Sequence, residues 1–162
     1  MERRNAWLSY TEAEEKELEK VAKEYRNFLD VGKTERECVT QIIKEAQEAG
    51  YECLEEKAAK GEKLKAGDKV YTVGMKKIVA LFHIGQDDIA EGMNILGAHI
   101  DSPRLDIKQN PLYEDTDFAY LDTHYYGGVK KYQWVTIPLA IHGVVAKKDG
   151  SVVQVNIGED EK

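Results

Sequence analysis

The chain has 162 residues, 42% hydrophobic and 33% charged, with 30 acidic against 23 basic side chains and a net charge of -7. That length can bury a real core and suggests one domain or a little more, while the acidic balance argues against nucleic-acid binding through phosphate neutralisation. No apolar run approaches the roughly 20 residues of a membrane span, and no apolar core follows the basic residues of MERRNAWLSY as a signal peptide requires, so a cytoplasmic protein is expected.

Two helices open the chain. Thr11 with Glu14 three residues on is a capping box, and Leu18, Val21, Ala22, Tyr25, Phe28 and Leu29 recur on one face until Gly32. Thr34 with Glu37 repeats the device, with Cys38, Val39, Ile42, Ile43 and Ala46 as apolar face and Gly50 as terminator. The Glu-rich outer faces read as solvated surface. Cys38 and Cys53 have no zinc-knuckle spacing and read as reduced thiols.

Residues 51–68 are polar and predict a loop with a short strand. The period then changes: residues 70–73 and 78–84 read as strands about a turn at Gly74, and His83 in the second reads as a core-edge histidine. After a loop over 86–93, Ile95, Leu96, Gly97 and Ala98 predict a short buried strand ending in His99, Ile100, Asp101, Ser102 and Pro103. Beyond Pro103 come strand patterns from Leu105, then over 118–126, 133–137, 140–146 and 152–157, with an Asp149-Gly150 hairpin turn. Strand after strand without a helix points to antiparallel structure and a boundary near Ile107. The lysine pairs 76–77, 130–131 and 147–148 fall at turns and margins and read as solvated edges.

Chemistry gathers at the end of the 95–98 run. Residues two apart on an extended segment share a face, so His99 and Asp101 can look into one cavity while Ile100 points away. Pro103 disfavours helix at Ser102 and leaves the pair at a strand end. Neutral imidazole suits Zn²⁺, and a carboxylate can orient a ligating histidine, complete a metal site or act as base. The same three residues also fit a satisfied histidine beside a turn-forming Asp-Ser-Pro.

The string GAHIDSPRLDIK resembles the GAH-x-DSP-x-L-x-x-K signature of the metallo-aminopeptidases of the aspartyl aminopeptidase and vacuolar aminopeptidase I type. The similarity extends upstream to KTERE and FHIG, and downstream to YYGG-x-KKYQW-x-x-x-PLA-x-HG, which resembles the bacterial branch. The resemblance implies an α/β fold: residues 1–107 as the N-terminal part of a peptidase catalytic domain, and 108–162 as the start of an inserted β-rich assembly domain. It implies that His99 is a ligand of a two-metal zinc centre, with cobalt or manganese as alternative metals, and that Asp101 is the catalytic residue holding it.

The activity so implied is release of N-terminal amino acids from peptides by metal-activated water. The partners implied are peptide substrates, the remainder of the peptidase chain and further copies in a homo-oligomer, with neither nucleic acid nor membrane among them. A catalytic zinc needs about three protein ligands, and the family's others lie after the inserted domain, so the 162-residue chain alone is expected to be inactive. Asp122, His124 and His142 offer themselves as local substitutes, but Tyr120, Asp122, His124 and Tyr126 share one strand face and read as a solvated or interface face. A non-catalytic assembly module is the alternative reading.

Overall fold

The computed structural model describes residues 5–159 and divides into two compact units, the division falling between Leu96 and Gly97. The order of helices followed by strands makes the fold mixed α/β, as the sequence predicts.

The first unit begins with a 3-10 turn at Ala6–Leu8 and helix α1, Glu12–Val31. The capping box is present: Glu14 N–H donates to Thr11 Oγ1, and Thr11 N–H donates to the Glu14 carboxylate at 2.8 Å. The Thr11 N–H and, after it, the Thr11 hydroxyl, which also donates to that carboxylate at 2.8 Å, hold the Glu14 carboxyl below its ordinary value, and Glu12, Glu14 and Glu15 put negative charge at the positive end of the helix. Gly32 closes α1 with its N–H on the Phe28 carbonyl at 2.9 Å. Helix α2, Glu35–Glu48, repeats the box with Thr34 and Glu37, and such a cap is worth about 1 kcal/mol.

The two apolar faces fare differently. On α2, Cys38, Val39 and Ala46 are buried and Ile42 and Ile43 half-buried, whereas α1 buries nothing and leaves Val21, Tyr25 and Leu29 exposed. The packed face is thus α2's, and it lies against strand β3, Ile78–His83. Burial pushes the Cys38 thiol up, helped by Glu37 and Glu35, so it is an inert core side chain.

The sheet of this unit has the order β1-β2-β3, with β1 at Glu52–Cys53 and β2 at Lys69–Gly74. The β1–β2 pair is parallel and the β2–β3 pair antiparallel, Tyr71 lying opposite Leu81. Val70 and Val39 are the fully buried side chains, each worth roughly 1.5–3 kcal/mol of apolar burial. Tyr71 is buried with its hydroxyl bonded to Gln47 Nε2 at 3.0 Å, tying α2 to the sheet. Met75 and Lys76 take positive φ (52° and 59°) in the connection between Gly74 and Ile78, where the Lys77 N–H bonds the Gly74 carbonyl at 2.9 Å.

Three expectations fail over residues 54–98. Residues 54–59 are not loop but helix α3, Leu54–Ala59, pinned to β2 where the Thr72 hydroxyl meets the Glu55 carboxylate. Six residues are too short to display a helical period. Residues 95–98 form no strand: Ile95 is 80% and Leu96 99% exposed, and among the described residues no ladder partner pairs with them. An apolar run becomes a strand only where another strand satisfies its backbone groups. His83 ends β3 exposed rather than at a core edge.

The second unit holds two antiparallel hairpins. Strand β4, Arg104–Asp115, pairs with β5, Phe118–Tyr126, through a turn in which Thr116 and Asp117 have positive φ. Strand β6, Ile141–Ala146, pairs with β7, Val152–Ile157, and Gly150 (φ 84°) turns the chain beside Asp149, whose carboxylate accepts from Ser151. The strand predicted at 133–137 is a single helical turn, α4, Lys131–Trp134. The Gln133 and Trp134 amides both bond the Lys130 carbonyl, and the Thr136 hydroxyl bonds that of Gln133, so local bonds replace a ladder. Among the described residues, no helix is long and apolar enough to cross a membrane.

Candidate metal centre

His99 and Asp101 lie in the second unit, on the segment that enters β4. The structure brings them together. His99 Nδ1 stands 3.0 Å from the Asp101 backbone carbonyl and 3.0 Å from Asp101 Oδ1. A carbonyl and an ionised carboxylate are acceptors only, so Nδ1 carries a proton and donates, and in the neutral form of the ring that tautomer puts the lone pair on Nε2. The His99 side chain is 84% exposed, so that lone pair is accessible.

The other carboxylate oxygen is also committed. Tyr126 Oη donates to Asp101 Oδ2 at 2.6 Å. This bond is the largest influence holding the Asp101 carboxyl below its ordinary value; partial desolvation opposes it, and His99 adds a smaller push downward. Asp101 is therefore a carboxylate with one oxygen on imidazole and one on phenol.

The hairpin puts Tyr126 there. Arg104, first residue of β4, pairs across the ladder with Tyr126, last residue of β5, so the phenol arrives three residues from Asp101. The Arg104 guanidinium stacks over the Tyr126 ring at 4.1 Å, and its Nε donates to Asp106 Oδ1 at 2.7 Å. Gly127 (φ 71°) then turns the chain out of β5, and a Cβ there would stand 3.4 Å from Pro103 Cα. A larger residue would be strained in backbone and crowded against the Asp-Ser-Pro turn.

An imidazole with one nitrogen fixed by acceptors and the other exposed fits a zinc ligand, and the carboxylate behind it fits an orienting group. Among the described residues, no group of three or more His, Cys, Asp or Glu is placed to hold a metal ion. The local substitutes do not gather into a site among the described residues. Asp122 accepts from Lys108 Nζ at 2.9 Å, His124 stacks on Tyr125 at 5.3 Å, and His142, its side chain 8% exposed, stands 3.1 Å from Glu159.

Sequence reasoning passed over Tyr126 and Arg104. In the sequence Tyr126 shares one strand face with Tyr120, Asp122 and His124, and only the β4–β5 register carries it to Asp101. No local spacing encodes a pairing across 22 residues.

A family model described as aminopeptidase I zinc metalloprotease (M18) matches residues 28–162. A Clostridium acetobutylicum protein described as "Probable M18 family aminopeptidase 1" is 58% identical over 160 residues, covering 99% of this chain and 34% of that protein. The crystal structure of aminopeptidase I from Clostridium acetobutylicum is 57% identical with a TM-score of 0.83, over 99% of this chain and 35% of the other. That of aminopeptidase I from Borrelia burgdorferi B31 is 39% identical with a TM-score of 0.90, over 98% and 38%. The chain thus spans about a third of the length of the relatives it matches.

Proposed function

The chain belongs to the aminopeptidase I zinc metalloprotease (M18) family, and on that premise we propose that it is the N-terminal portion of a zinc-dependent aminopeptidase. The observation that carries this is the His99–Asp101 pair, with Nδ1 held at 3.0 Å and Nε2 exposed. His99 is a zinc ligand through Nε2, and Asp101 orients it, fixes its tautomer and raises its basicity. Zinc in such a site polarises the substrate carbonyl and supplies a nucleophilic water at neutral pH. The further ligands of a two-metal site, and the base, come from the rest of the polypeptide, and the 162-residue chain alone is inactive.

The domain reading follows. Residues 1–107 are the first part of the catalytic domain. The inserted β-rich domain begins at 108, next to the register shift of the β4–β5 ladder between Ile107 and Leu112. Leu112 and Phe118 in that hairpin are 72% and 65% exposed, which suits surfaces covered by further chain or by other copies in a homo-oligomer. The free thiols of Cys38 and Cys53 suit a reducing cytoplasm.

The test is product analysis on the intact enzyme. A peptide with a free N-terminus should shorten one residue at a time by mass spectrometry, and its N-acetylated counterpart should survive. Internal cleavage, or equal turnover of the acetylated peptide, would contradict the reading.

A further inference from the structure

We propose that Tyr126 is a positioning residue for the metal ligand, acting through Asp101. This rests on the reading of His99 as a zinc ligand and goes beyond it by assigning the group that sets Asp101 in place.

A carboxylate two residues from the histidine it serves could turn about its own side-chain bonds, and the exposed segment around it offers little packing to prevent that: Ser102 and Pro103 are both exposed. The Tyr126 hydroxyl removes that freedom. With Oδ2 held at 2.6 Å, Oδ1 is directed at His99 Nδ1, 3.0 Å away. A hydroxyl-to-carboxylate bond of this length is charge-assisted and of the stronger kind.

The phenol is 39% exposed, and contacts at its face and its hydroxyl rather than burial set its position. One face of its ring carries the Arg104 guanidinium at 4.1 Å, Arg104 is tethered to Asp106, and the Arg104–Tyr126 pairing closes the ladder at that end. Gly127 against Pro103 fixes where β5 ends. The result is a relay of fixed geometry from hairpin to ring, Arg104 on Tyr126, Tyr126 on Asp101, Asp101 on His99. Tyr126 touches neither substrate nor metal in this role; it decides how rigidly the imidazole is presented.

The test uses Tyr126→Phe in the intact enzyme, which keeps the ring under Arg104 and removes only the hydroxyl. Zinc affinity by chelator competition is expected to fall roughly tenfold, the lower end for groups that orient a ligating histidine. kcat should fall by a similar factor with KM little changed, and far-ultraviolet circular dichroism should be unaltered. In an Asp101→Ala background the same substitution should change zinc affinity no further, because Tyr126 acts through that carboxylate.

Unchanged zinc affinity in Tyr126→Phe, or a further loss in the Asp101→Ala background, would overturn the proposal. Arg104→Gln leaves the hydroxyl in place and removes the stack. It should lower affinity less than Tyr126→Phe does, and a larger loss would assign the effect to the hairpin register and overturn the hydroxyl's role. His99→Ala separates the two levels of failure. If it keeps its zinc, the ligand reading falls; if it loses zinc while Tyr126→Phe does not, only the role of Tyr126 falls.

Discussion

His99→Ala in the intact enzyme will bind less zinc and lose more than about 100-fold in kcat, since changes to groups that merely orient such a ligand already cost 10–100-fold. The side chain removed is 84% exposed and contributes little packing, so folding should survive, and circular dichroism should match the parent protein. This separates a metal-site role from a structural one. A satisfied surface histidine beside a turn would behave in the opposite way, with metal content and activity both intact. Metal stoichiometry by plasma mass spectrometry, read beside kcat, distinguishes the two.

Asp101→Ala should lower zinc affinity and kcat by roughly 10–100-fold, less than His99→Ala. The smaller loss has a structural cause. His99 Nδ1 also faces the Asp101 backbone carbonyl at 3.0 Å, and that acceptor survives the substitution. The tautomer therefore keeps one support, while the negative charge that raises imidazole basicity is gone. Steady-state kinetics and chelator competition on the same preparation check this. A loss equal to that of His99→Ala would mean that Asp101 does more than orient the ring.

Much of the first unit was legible because its signals are local. Thr11 with Glu14 and Thr34 with Glu37 lie within one helical turn of each other, so a capping box can be read without knowing what the helix packs on. Strands 118–126 and 152–157 were likewise legible from alternation and from Asp149-Gly150. The failures share the opposite property. Helix α3 gains its hold from Thr72, 17 residues away, and the run at 95–98 has the composition of a buried strand but no described strand beside it. Α periodic pattern reports what a segment can bury, not whether a partner is present.

The candidate site divides along the same line. His99 and Asp101 are two residues apart and stand together in the family signature, so a local reading could pair them even though the segment that carries them is not a strand. Tyr126 lies 25 residues from Asp101 and reaches it only because β5 returns beside Arg104. That contact exists only in the folded hairpin.

The central claim is that the exposed Nε2 of His99 holds zinc. Anomalous diffraction at the zinc edge on crystals of the intact enzyme tests it most directly. The account predicts a peak at bonding distance from His99 Nε2, about 2.0–2.1 Å, with Nδ1 still on Asp101. Zinc bound at His124, or at Nδ1 of His99 with the Asp101 contact broken, would contradict it.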